Sequence, residues 1–321
     1  RILYDLLNPP PPPSGRQAIP MSVTLVETAF RTLGYIFKYD AEAILSEVDK
    51  PGQEPCLENM RQYYGATLGN SRDYVRRLAA ETFAPLVRKC KSESARRKHV
   101  RRVIRALAAT GRDTLSNSLK KAQADAIDGV AHFLLETARG MAGRLHSKGH
   151  LVVGCVLDCL ASGKSGMQVL YQVTSVFLEK ICHHVKREYF CFVWKELFQA
   201  SNSALSAGAE FSDVEAPSSP LPYILELLHQ VASFKNGILL RKPIDGMVVE
   251  GYTGSVKSLV RLLRQMLESS SFSLLSPRSQ TLAIQLLAAS WRAIPDDTNF
   301  ASQLSPLLPA IMASDIKDRA V

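Results

Sequence analysis

The sequence predicts an all-α chain of stacked helical hairpins, an α-solenoid, and three observations predict it. Apolar residues recur at three- and four-residue steps almost throughout the chain from Ser22 onward, the period of an amphipathic helix. No convincing run of alternating strand residues interrupts them; only Met247 to Val249 hints at an extended segment. Short breakers separate the periodic stretches, and successive helix pairs return every ~35–50 residues, the spacing of helical repeats.

The chain has 321 residues, of which 46% are apolar and 21% charged, an ordinary globular balance. The start at Arg1 rather than Met predicts a segment of a larger protein. No apolar run approaches the roughly 18 residues of a transmembrane helix, so no membrane span is expected. The six cysteines, Cys56, Cys90, Cys155, Cys159, Cys182 and Cys191, lie inside apolar helical patterns without a framework of short regular spacings. They read as free thiols in a reducing compartment.

Residues 1–21 read as a Pro-rich linker: Pro9 to Pro13 are consecutive prolines, which form neither a helix nor a central strand. Ser22 is the expected N-cap of the first helix, whose apolar face is Val26, Ala29, Phe30, Leu33, Ile36 and Phe37. Shorter helices follow at Ala41 to Val48 and Cys56 to Leu68. A strong helix begins near Asp73, with Val75, Leu78, Ala79, Phe83, Leu86 and Val87 facing inward and a kink expected at Pro85. Further helices are expected at 94–109, 122–146, 149–161, 166–200 (long enough to be two), 219–240, 253–270, 277–293 and 302–314. Residues 22–200 thus form one run of helical repeats. Residues 201–219, small, polar and slightly acidic, are expected to be a flexible loop, and 220–321 continue the repeats. The pair spacing fits degenerate HEAT- and armadillo-type units.

The charge is unevenly spread. The formal net charge is +9, but residues 72–121 hold 15 Lys and Arg against Asp73, Glu81, Glu93 and Asp113, a net of +11, so the remainder sums to −2. Within that segment, residues 94–109 (SARRKHVRRVIRALAA) carry the suggestive pattern. At about 100° per residue, Val100, Val103, Ile104 and Leu107 form one apolar stripe, while Lys98, Arg101, Arg102 and Arg105 share an arc of about 100° opposite it. Arg96 and Arg97 flank the stripe. No acid lies within the cationic arc to form i,i+4 pairs. Lys98, Arg101, Arg102 and Arg105 are therefore the candidate contacts to RNA phosphates or to an acidic partner. A nuclear-import signal and a merely solvated face are the alternatives. No aromatics interleave with the cations, so base-specific reading is not expected.

Other apparent motifs fail on spacing. Gly163-Lys164-Ser165 lacks the glycine five residues earlier that a phosphate-binding loop requires; Asp158 stands there, on a helix rather than a strand. Cys155 and Cys159, with Cys182, His183 and His184 further on, suggest half a metal site, but Val152, Val156 and Leu160 mark that face as core. His132, His146, His150 and His229 show no local carboxylate or nucleophile partner of motif quality. These readings predict no catalytic residue, no metal, no cofactor and no enzyme.

The stretch Tyr63 to Lys91, and within it VRRLAAETFAPLVRK, resembles a HEAT helix of the large U3 small nucleolar RNA-associated scaffold of the small-subunit processome, the "down-regulated in metastasis" family. LGYIFKYDAEAIL (33–45) and DGVAHFLLETARGMAGRLHSKGH (128–150) resemble the helices before and after it, in the same order and at similar spacing. The resemblance covers about 33–150 well and reaches 200 weakly; 201–321 match in helical character alone. It implies a segment near the N-terminal part of a much larger solenoid in the nucleolus. The implied role is structural: holding pre-ribosomal RNA and processome proteins during maturation of 18S rRNA, with no membrane and no small-molecule substrate. The basic helix lies between two matching blocks, so its RNA role comes from its own residues. The alternative is a HEAT/armadillo-type protein-binding adaptor in transport or trafficking.

Overall fold

The computed structural model describes residues 22–41, 67–90, 92–110, 117–162, 166–209, 219–240, 255–267 and 275–293, with Phe272, Ser302 and Ser305. The chain is all-helical there, and no strand occurs among the described residues. It divides into two compact units between Ala138 and Arg139, inside the stretch read from sequence as one run of repeats. The Pro-rich linker, the expected helices at 42–66, the Gly163-Lys164-Ser165 turn, residues 210–218, Met247 to Val249 and nearly all of 302–314 lie outside the described residues.

The first unit holds α1 (Val23–Tyr39), α2 (Asp73–Lys89), α3 (Glu93–Thr110) and α4 (Asn117–Ala138). Ser22 caps α1 as expected: its backbone is extended and its Oγ accepts from the Leu25 amide at 3.2 Å. Val26, Ala29, Phe30 and Phe37 are buried against α2, with the Phe37 and Phe83 rings 5.6 Å apart. Ile36, expected inside, is exposed, because it falls about 80° off the centre of that stripe. With Tyr35 and Tyr39, whose rings stack at 6.4 Å, it leaves α1 an exposed apolar ridge.

Helix α2 runs without interruption through Pro85. It packs on α1, α3 and α4, so it buries residues on several sides: the expected Val75, Ala79, Phe83, Leu86 and Val87, but also Ala80, Thr82 and Arg76. Thr82 reconciles its hydroxyl with burial by donating back to the Leu78 carbonyl at 2.6 Å. Gly129 marks a close backbone approach. A Cβ there would overlap the Leu68 carbonyl and stand 3.1 Å from Leu68 Cα, so the 67–70 segment rests directly on the α4 backbone.

Helix α4 ends eight residues before the expected 146. Residues 139–148 turn back instead: Gly140 N–H donates to the Arg144 carbonyl at 2.7 Å, and Ala142 and Gly143 take the left-handed φ values +54° and +76°. The apolar period continues through this segment in sequence, but two glycines and a left-handed residue cannot sustain a helix.

The second unit holds α5 (Gly149–Ala161), α6 (Met167–His184), α7 (Phe190–Ala209), α8 (Leu221–Ser233), α9 (Ser255–Leu267) and α10 (Pro277–Ala293). The 166–200 stretch is indeed two helices, parted at Val185 and Lys186 by a short 3-10 turn, Arg187–Tyr189. Part of the expected loop is helix: α7 continues to Ala209 and buries Ser201, Ala204 and Leu205, with Ser201 Oγ donating to the Leu197 carbonyl at 2.8 Å. Small residues at i and i+3, Ser201 and Ala204, read as loop composition but suit a close helix contact. Helix α8 stops at Ser233, not 240, because Lys235, Asn236 and Gly237 are all left-handed.

Packing follows chain order. In this unit α5 packs on α6 and α7, α6 on α8, α7 on α8 and α9, and α10 on α8 and α9. Trp194 anchors the middle, buried, with its indole N–H donating to the Leu239 carbonyl at 3.1 Å. Ser175 and Gln230 exchange hydrogen bonds of 2.9 and 3.1 Å between α6 and α8. No described helix is long and apolar enough to cross a membrane.

Candidate RNA-binding helix

Ser92 starts α3, accepting from the Ala95 amide at 3.0 Å, and the helix covers the expected 94–109 with one residue added at each end. Val100 and Ile104 are buried against the α2 and α4 side, which fixes the rotation of the helix. Lys98 and Arg105 are exposed, and Arg101 and Arg102 are half-buried. The four cations thus lie away from the core as the 100° projection requires, though the arc is not uniformly solvated. Arg96 turns the other way: it is half-buried and its Nη1 donates to the Cys90 carbonyl, capping the end of α2. Arg97 pairs with Glu93 one turn earlier at 2.8 Å. The two arginines beside the stripe therefore serve the fold and the local helix, and α3 offers Lys98 and Arg105 most openly.

The cysteines do not assemble a reactive or metal-binding group among the described residues. Cys155 and Cys159 are buried on α5 with Val152, Val156 and Leu160, and Cys90, Cys182 and Cys191 are buried and free of disulfides. Burial, then the negative charge of Glu179, pushes the Cys182 thiol up to about 12. A thiol of that pKa is ~10⁻⁴ thiolate at pH 8, against about a quarter for an ordinary one of pKa 8.5. Alkylation of native protein by iodoacetamide at pH 8 should leave Cys182 unlabelled on a timescale that labels it fully in urea. Labelling at comparable rates in both would contradict the buried position.

The histidines have more local partners than spacing suggested. His132 Nε2 lies 3.6 Å from Asp128 Oδ1, one turn before it. His229 Nε2 lies 3.0 Å from Ser233 Oγ, and burial holds its pKa below the ordinary range. His146 Nδ1 accepts from the Lys148 amide at 3.2 Å. Each of these contacts is local in sequence, at i,i+2 or i,i+4.

The principal feature that sequence reasoning missed is Arg76. It is buried on α2, where Arg77 and Lys89 are exposed, and its guanidinium donates to Asp128 at 3.0 Å, Asp125 at 3.1 Å and the Asn70 carbonyl at 2.8 Å, with Asp73 at 3.5 Å. Asp73, Asp128 and His132 also lie close enough together to suggest cation ligands. The guanidinium already stands among these oxygens and bonds both carboxylates, so the group reads as an ion-pair joint between α2 and α4.

No family model matches this chain, and no curated protein matches it.

Proposed function

We propose that this chain is a non-enzymatic segment of a HEAT/armadillo-type α-solenoid that scaffolds the small-subunit processome in the nucleolus, contacting pre-ribosomal RNA and processome proteins during 18S rRNA maturation. The observation that carries the scaffold reading is the packing order of the second unit. Alternate helices pack on one another, α5 on α7 on α9 and α6 on α8 on α10, while α5/α6, α7/α8 and α9/α10 pair as hairpins. Helices that pack mainly on their near neighbours in sequence, among the described residues, are what a two-layered stack of hairpins requires, and such stacks offer long surfaces rather than a catalytic cleft. The processome reading draws support from the resemblance carried by residues 33–150, and the RNA contact from the solvent-side cations of α3.

The assignment predicts that the full-length protein co-sediments with large pre-ribosomal particles and that its depletion blocks cleavage of the 18S precursor. Normal 18S maturation after depletion, with the protein outside the nucleolus on vesicles or transport complexes, would establish the adaptor reading instead.

A further inference from the structure

We propose that the end of the second unit formed by its inter-helix turns is a second polyanion-binding surface, which fits an RNA phosphate backbone and works independently of α3. The proposal deepens the scaffold reading and rests on it for the choice of RNA over an acidic protein.

Three segments far apart in sequence meet there. The 139–148 turn before α5 is joined to the α6–α7 turn by the Lys186 amide, which donates to the Gly143 carbonyl at 2.8 Å. The fit is close: a Cβ on Gly143 would lie 3.1 Å from Lys186 Cγ and 3.5 Å from the His184 carbonyl. The turn after α8 joins through aromatic contact. The His183 ring meets Phe234 edge-on at 5.0 Å, and Lys235 Nζ lies 5.3 Å from the centre of the same Phe234 ring. Residues 139–150 contribute three Lys and Arg, 180–187 three and 234–240 one; Glu179 and the exposed Glu188 flank the middle stretch, so the three turns together stay net positive. Arg144, Lys186 and Lys235 are exposed, as are His183 and His184.

His184 senses positive charge from the first two stretches. Its pKa is lowered by burial first, then by the positive charges of Arg139, His183 and Lys180. Local stability does not explain the arrangement. Cations are favourable near helix C-termini, which accounts for Lys180 at the end of α6, but Lys148 and Lys186 stand just ahead of α5 and α7, where the helix dipole opposes positive charge. Neither α5 nor α7 has an acidic residue in its first turn, and Glu188 in the 3-10 turn ahead of α7 offsets Lys186 only in part. Protein-binding patches are poor in Lys and centred on buried aromatic anchors, whereas this surface is Lys- and Arg-rich with its charges spread over three turns. A phosphate chain supplies regularly spaced negative charge beyond what Glu179 and Glu188 provide.

The test uses the full chain and a fluorescein-labelled single-stranded RNA of forty nucleotides, with binding measured from 50 to 300 mM salt. Three variants are compared: Arg144→Gln/Lys186→Gln/Lys235→Gln on this surface, Lys98→Gln/Arg101→Gln/Arg102→Gln/Arg105→Gln on α3, and Lys257→Gln/Arg261→Gln/Arg264→Gln as an equal charge loss on the exposed side of α9. The surface variant is expected to bind at least tenfold more weakly at low salt, with a log–log salt slope shallower by about two units, since each phosphate contact to a single strand contributes roughly 0.7. The α9 variant should keep the wild-type slope and the unfolding midpoint of each variant should stay unchanged. An unchanged slope in the surface variant, with loss confined to the α3 variant, overturns this inference and leaves the scaffold reading standing. Equal losses in the surface and α9 variants overturn it as bulk charge. Failure of the wild-type chain to bind RNA, while binding polyglutamate through these three residues, removes both readings and assigns the surface to an acidic protein.

Discussion

Gly129→Ala is expected to destabilise the first unit by about 1–3 kcal/mol, although alanine is the better helix former. In an exposed helix interior the same change would gain up to about 1 kcal/mol. Here the added methyl would overlap the Leu68 carbonyl and stand 2.7 Å from its carbonyl carbon. Both are backbone atoms, so no rotamer change relieves the clash, and the 67–70 segment must lift off α4. That segment supplies the Asn70 carbonyl to Arg76, so the displacement also strains the ion-pair joint. Gly154 on α5 provides the control. A Cβ there would overlap a carboxylate oxygen of Glu196 and stand 3.1 Å from its Cδ, but that is the far end of a flexible side chain rather than backbone. Gly154→Ala should therefore be close to neutral. Urea unfolding followed by circular dichroism checks both: a Gly129→Ala midpoint at or above wild type would mean that the 67–70 segment does not rest on α4.

The fold was legible in sequence where one signal acted alone. Ser22, the ends of α5 and the span of α10 follow from a cap or a breaker beside a clear apolar period, and the structure places them as read. Reading failed where backbone conformation overrode side-chain pattern. The apolar period runs on past Ala138 and Ser233, but left-handed residues at 142–143 and 235–237 keep either helix from continuing. Composition misled in the opposite sense at 201–209, where serine and alanine make a tight helix contact. The rotation of α3 was legible because Val100 and Ile104 leave one way to bury it. The end surface of the second unit was not. Its cations arrive from three turns, each too sparse to register in a chain whose charge outside 72–121 sums to −2. Arg76 was hidden for a related reason: Asp125 and Asp128 lie some fifty residues away and meet it only when α4 packs on α2.

Arg76→Met should cost about 2–4 kcal/mol, a loss comparable to truncating a buried core side chain. Breaking a fully buried pair costs about 3–5 kcal/mol, because the abandoned charge stays out of water. The discount reflects the partners: Asp125 and Asp128 side chains keep 17% and 28% of their exposure, so water screens part of the loss, and Asp73 at 49% contributes little. Arg76→Lys should recover only part of the stability, since one ammonium cannot reproduce separate guanidinium bonds to Asp128, Asp125 and the Asn70 carbonyl. The decisive variant is the triple Arg76→Met/Asp125→Asn/Asp128→Asn. If the cost of Arg76→Met comes from stranded carboxylates, neutralising both should restore most of the lost stability, giving a coupling of about 1–3 kcal/mol in a mutant cycle. If the cost comes from the packing of the arginine stem, the triple variant will be no more stable than Arg76→Met. A loss below ~0.5 kcal/mol for the single change would mean that α2 and α4 are joined by their apolar faces alone. The outcome bears on function because α3 packs on these two helices, so the direction in which Lys98 and Arg105 point depends on that joint.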